Sequence, residues 1–109
     1  MKISELGELG FSCLQDEFKD AELVGGYTSD LLSDVMANLK EGQALITLQA
    51  HKNTVAVASL SGAAAVIFCH GRSVADDVVE SAAAEGIALF TTPDNQFEAT
   101  VKLSRALRA

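Results

Sequence analysis

Cysteine, proline and the glycine patterns that cradle phosphate are scarce or missing in this chain, and each shortage closes a route. Only two cysteines, Cys13 and Cys69, occur among 109 residues. In a chain without an export signal they are expected to be reduced rather than bridged. Cys69 ends the apolar run Ala64-Ala65-Val66-Ile67-Phe68 and reads as a small core residue. His51 and His70 would complete a set of four zinc-ligand types, but no pair has the short CxxC or HxxxH spacing that anchors a zinc site, so no metal is expected. The one proline, Pro93, lies just past an apolar run. No apolar run reaches the roughly 18 residues needed to span a bilayer. The start, Met1-Lys2-Ile3-Ser4-Glu5, has no apolar h-region, so no signal peptide, no membrane association and a cytoplasmic location are expected. No lysine follows a glycine in the GxxxxGK[ST] frame, GxGxxG is absent and no serine sits in a GxSxG elbow.

Basic residues are also in short supply. Eight lysines and arginines face fifteen acids, a net charge of −7, with residues 1–41 at −6 and residues 42–109 at −1. Such a chain repels phosphate backbones, which argues against nucleic acid as a partner. Linkers, repeats and low-complexity tracts are missing too, so residues 1–109 are expected to form a single domain with one hydrophobic core. What is abundant is apolar surface: 49% of residues are hydrophobic and the mean hydropathy is +0.23. Much of that is alanine, but the remainder is more than a small monomer hides easily, which favours self-association.

From Gln43 onward the apolar pattern is regular. Ala44 to Gln49 reads as a strand and Asn53 to Ser61 as a small-residue helix ending at Gly62. Ala63 to Cys69 is continuously apolar, as in a strand covered on both faces. Ser73-Val74-Ala75-Asp76 has the spacing of a capping box, with Ser73 as N-cap of a helix to about Glu85 whose Val74, Val78 and Ala82 recur at i, i+4, i+8. Ile87 to Thr91 is the next strand, and Asp94 or Asn95 caps a final helix carrying Phe97, Val101, Leu103 and Leu107. This β-α-β-α-β-α series is the signature of a parallel sheet with right-handed crossovers. Earlier segments are less regular: Ile3 to Leu9 as a short helix, Phe11 to Leu14 and Ala21 to Val24 as strands. Leu31, Val35 and Leu39 fit the core face of a helix to about Lys40, with Leu32 and Met36 on a second stripe. The expected fold is a three-layer α/β domain with a mostly parallel sheet of about five strands.

Chemistry in such a sheet collects beyond the carboxyl ends of the strands, where helix N-termini also point. That edge would carry His51, Asn53, His70, Arg72 and Thr92, a set suited to a nucleotide or another anionic metabolite. Asp30 and Asp34 stand one helical turn apart and could share a metal or a proton, but a solvated helix face explains them as well. His51 or His70 with Ser33 and Asp34 has the composition of a triad, yet nothing in the sequence brings them together, so no catalytic residue is assigned. The stretch Gly25-Gly26-Tyr27-Thr28-Ser29-Asp30-Leu31-Leu32-Ser33-Asp34 lays hydroxyls and carboxylates over an apolar series, more polarity than a core segment needs. Gly25 and Gly26 are expected to set a turn, with Gly26 at positive φ or in close backbone contact.

On these residues the chain resembles the DRTGG domain from about Leu9 to Leu107. The resemblance rests on Val24-Gly25-Gly26-Tyr27, on Ser29 to Ala37, on Ile46-Thr47, on Asn53 with Val55-Ala56-Val57-Ala58, and on Ala65 to Phe68. The arginine and threonine that give the family its name are replaced, since Asp20-Ala21-Glu22-Leu23-Val24 precedes the glycine pair. The resemblance implies a fold similar to the N-terminal domain of HPr kinase/phosphorylase. It further implies a regulatory or accessory module with no catalysis and no cofactor, and a context in anaerobic, iron-only hydrogenase metabolism. The working surface would be Gly25, Gly26, Tyr27, Asp30, Ser33 and Asp34, the partner another protein or a small anionic ligand. A homodimer is expected through Leu31, Leu32 or Met36.

Overall fold

Short apolar runs become parallel strands when each is followed by a segment long enough to cross back over the sheet. The computed structural model describes residues 1–109. A 3-10 segment, Ile3–Leu9, precedes β1 (Ser12–Gln15), β2 (Gly25–Thr28), α1 (Leu32–Asn38) and β3 (Gln43–Thr47). There follow α2 (Lys52–Ser61), β4 (Ala65–Phe68), α3 (Asp76–Glu85), β5 (Ala88–Thr91) and α4 (Gln96–Arg108). The sheet order is β1-β5-β4-β3-β2, with β1 antiparallel to β5 and every other pair parallel. This is the three-layer α/β architecture with a mostly parallel five-stranded sheet.

Alternation along the strands feeds two cores. Ala44, Ile46, Ala65, Ile67, Ala88 and Phe90 face the layer of α4 and the 3-10 segment, meeting Ala99, Leu103, Ile3, Leu6 and Phe11. Leu45, Val66, Phe68 and Leu89 face α1, α2 and α3, meeting Val35, Val55, Ala58, Val78 and Ala82. All four residues of β4 are buried, as its uninterrupted apolar run requires of a central strand. Asn95 caps α4, accepting from the Glu98 amide at 2.8 Å while the Glu98 carboxylate accepts from the Asn95 amide.

The structure corrects four expectations, three of them before Gln43. Ala21–Val24 is not a strand: Leu23 N donates to Met1 O, Val24 N donates to Gly42 O, and Glu22 makes only an isolated bridge to Lys2. The strand is the glycine-led segment after it, with Gly25 to Thr28 in register with Gln43 to Ile46. The glycine pair therefore sets no turn, and neither glycine has positive φ. Gly26 is required for a different reason, because a Cβ there would stand 2.9 Å from Leu103 Cδ2. Leu31 leaves the core face, since it is the extended N-cap of α1 at φ −95° and is 65% exposed. Helical phase starts one residue later, so the inward positions are Leu32, Val35 and Leu39, and Leu32 is not free for a second stripe. Finally, Ser73 caps nothing: α3 starts at Asp76 behind Ala75. His70 and Gly71 are both left-handed and tied to Asp94 O and Thr92 O, so the residues up to Ala75 are used in crossing to the helix layer.

Candidate functional site

Beyond the carboxyl ends of the strands the chain leaves toward both faces of the sheet, to α2 and α3 on one face after β3 and β4, and to α4 on the other after β5. A crevice at such an edge is the expected place for a ligand in an open α/β sheet. Here it is a cleft of about 290 Å³ lined by Asp30, Leu48, Gln49, Ala50, His51, Arg72 and Ser73. The β3–α2 loop that forms one wall is internally braced. Thr54 Oγ1 donates to Gln49 O at 2.6 Å, His51 N donates to Gln49 O at 2.9 Å, and Gln49 N donates to Thr47 Oγ1 at 3.1 Å. His51 is the N-cap of α2 and its side chain makes no capping hydrogen bond; Thr54 N donates to His51 O at 3.0 Å, which leaves the Lys52 and Asn53 amides as the unengaged donors of that helix start.

Asp30 is the most heavily tied residue of the site. Its Oδ1 accepts from Thr47 Oγ1 at 2.9 Å, from the Leu48 amide at 2.8 Å and from Gln96 Nε2 at 3.1 Å. These three donors come from the end of β3, the following loop and the first turn of α4, so one carboxylate joins three parts of the fold at the sheet edge. Arg72 lies on the β4–α3 loop and is exposed. The molecule's ion pairs are Met1 with Glu22 and Lys102 with Asp94, so Arg72 lines the cleft without a carboxylate partner within 4.0 Å.

The residues singled out from the sequence divide among several places. Asp30, His51 and Arg72 share the cleft. Asn53, in the first turn of α2, and His70 are exposed and do not line it. Thr92 is buried, and its hydroxyl accepts from the Asp94 amide at 3.2 Å. Tyr27 and Asp34 pair elsewhere, the phenol donating to Asp34 Oδ1 and Oδ2 at 2.8 and 2.9 Å, with Asn38 Nδ2 donating to Oδ1 at 2.9 Å. The Ser29 hydroxyl, then Tyr27 and Asn38, hold the Asp34 carboxyl below its ordinary range, and the same contact raises the Tyr27 phenol. Asp34 is thus committed to neutral donors rather than to a histidine or to Asp30. Ser33 is exposed on α1. Gly26 lines a separate groove of about 280 Å³ beside α4, where the Thr28 and Thr100 hydroxyls stand 2.7 Å apart. Gly25 lies against the Gln43 side chain. No three His, Cys, Asp or Glu side chains come together in a metal-holding group.

One participant is not legible in the sequence. Gln96 braces Asp30 across 66 residues of sequence, which no local pattern encodes. Ser73, on the strand-end loop expected at this edge, lines the cleft wall and caps no helix.

No protein-family profile matches this chain, and no curated protein matches it. Among solved structures it is similar to the CBS and DRTGG domains of the regulatory region of Clostridium perfringens pyrophosphatase, which was crystallised with its activator, diadenosine tetraphosphate. The TM-score is 0.70 at 17% sequence identity, covering 91% of this chain and 44% of that one. The chain thus spans less than half the length of that regulatory region. In fold it is a DRTGG-like domain.

Proposed function

We propose that this chain is a non-catalytic regulatory module that works by binding a small anionic metabolite, of the nucleotide class, in the cleft at the carboxyl edge of the sheet. One observation carries the reading: an unpaired guanidinium, Arg72, and the His51 imidazole converge on a braced cleft in a chain of net charge −7. A cation left without a partner on an acidic molecule is an electrostatic opening for an anion. The uncapped start of α2 adds backbone donors of the same sign. The structural neighbour's nucleotide activator and its regulatory role support the same class of function. Absence of catalysis is part of the proposal, supported by Asp34 and Ser33 standing apart from His51, with Asp34 engaged by Tyr27 and Asn38. In this reading the module is similar to the N-terminal domain of HPr kinase/phosphorylase and acts in the cytoplasm. The iron-only hydrogenase context has no counterpart in the geometry of the cleft, so the proposal stops at the ligand class.

Thermal stabilisation by AMP, ADP, ATP and diadenosine tetraphosphate tests it. A ligand at a hundredfold excess over Kd stabilises by about 2.7 kcal/mol. At least one of these should raise the melting temperature, and Arg72→Ala should remove the effect. A flat response to all four would overturn the reading. Self-association is a second element, favoured by the exposure of Leu31 at 65% and Met36 at 55% at the start and on the surface of α1.

A further inference from the structure

Asp30 and Arg72 line the same cleft without forming an ion pair, and that separation restricts what the cleft can hold. A purely anionic ligand would meet the guanidinium and be repelled by the carboxylate. The carboxylate is not free to turn away. Three donors fix its Oδ1, and these already exceed the lone pairs of that oxygen. Oδ2 receives no hydrogen bond from the protein and is open to solvent. A fixed acceptor and a free cation in one space of about 290 Å³ complement a ligand carrying a hydrogen-bond donor and an anion a few bonds apart. The volume is at the small end for ligand sites, about 300–1,000 Å³, and suits one phosphorylated sugar rather than a whole dinucleotide.

We infer that Asp30 is the specificity-determining residue of the cleft, its Oδ2 accepting the vicinal hydroxyls of a ribose phosphate whose phosphate is held by Arg72. The inference rests on the ligand-binding reading given above and narrows it, since it separates ribose phosphates from inorganic phosphate and from deoxy sugars. A carboxylate is suited to that task because it is acceptor-only when ionised and can take two hydroxyl donors on one oxygen.

Titration calorimetry of the full chain with AMP, 2′,3′-dideoxy-AMP and inorganic phosphate decides it. Wild type should bind AMP about tenfold or more tightly than the dideoxy analogue, the loss expected when a charged acceptor is left unpaired. In Asp30→Asn the amide oxygen can still serve Thr47, Leu48 and Gln96, so the brace is kept while the second position turns from acceptor to donor. That variant should bind AMP and dideoxy-AMP within about twofold of each other, and inorganic phosphate at least as tightly as wild type, because a negative charge is gone. Equal binding of AMP and the dideoxy analogue by wild type would overturn the role of Asp30 and leave the cleft a simple anion site. An equal loss of all three ligands in the variant would assign Asp30 a structural role and overturn the inference too. Failure of wild type to bind any of the three overturns the inference. A null result extending to ADP, ATP and diadenosine tetraphosphate would overturn the ligand-binding reading as well.

Discussion

Gly26 has no side chain because Leu103 occupies the place where one would be. The 2.9 Å approach to Leu103 Cδ2 belongs to a side chain only 1% exposed, so its movement disturbs the packed layer under α4. Gly26→Val is expected to destabilise by about 1–3 kcal/mol through overpacking. Gly25→Ala, facing the flexible end of Gln43 at 3.4 Å, should cost less. Urea denaturation of the two variants checks the order, and equal effects would show that Leu103 is not the cause. The two cysteines differ just as sharply. Burial pushes the Cys69 thiol up to about 11, and Asp30 and Asp94 add to the effect. Cys13 is exposed, although partial burial of its thiol also raises it. A disulfide reagent at pH 8 should therefore modify Cys13 slowly in the native protein and reach Cys69 only after unfolding. Two thiols reacting at once in the native state would contradict the buried placement of Cys69.

At the level of elements, the caps separate what a sequence encodes locally from what tertiary structure imposes. Asn95 and Glu98 form a reciprocal cap, and Asn95→Ala should cost about 1 kcal/mol. Ser73 has a similar sequence context but no capping contact, so Ser73→Ala should stay within about 0.5 kcal/mol. Thermal denaturation distinguishes the pair directly. The same contrast explains which parts of the fold were legible. From Gln43 onward, strands and helices alternate with the periods of their own apolar residues, and the expected elements stand within a few residues of β3 to α4. Before Gln43 the signals are tertiary. Two glycines read as punctuation, yet a parallel partner in β3 and the bulk of Leu103 make them strand residues. Leu31 matched a helical period, but the helix had not begun. For the cleft, strand-end logic marks His51 and Arg72, because topology alone puts those loops on one edge. Asp30 enters it only through the bracing by Thr47, Leu48 and Gln96, which depends on how β3 and α4 come to lie beside residue 30.

For the molecule as a whole, charge governs both stability and association. Asp34, Asp94 and Asp20 all titrate below the ordinary carboxyl range, held by Ser29, by Lys102 and by Ser4 in turn. The unfolded chain, with carboxyls near about 4, takes up protons first as the pH falls. Their contribution is therefore complete above the unfolded value and is lost as the pH drops through the depressed folded values. The melting temperature should fall between pH 5 and pH 3, and Lys102→Met, which removes the 2.7 Å partner of the buried Asp94 Oδ2, should reduce that dependence. An unchanged slope in this variant would show that the pair does not contribute.

Association turns on the same excess of acid. If two copies meet through the exposed Leu31 and Met36, they bring together the N-terminal segment, residues 1–41, that carries −6 of the total −7. Burial of these side chains favours contact while like charges oppose it, and salt screens only the second effect, over about 8–10 Å at physiological strength. Self-association should therefore strengthen with added salt. Anion binding at Arg72 should weaken under the same conditions, which separates the two processes in one protein. Sedimentation of wild type at micromolar concentration is expected to give twice the 11.4 kDa chain mass, more completely at high salt. Met36→Asp, which adds a charge at a 55% exposed position away from both cores, should give the single-chain mass with the melting temperature of the monomer unchanged. A wild type that sediments as one chain at every salt concentration, or a variant that remains a dimer, would rule out this surface.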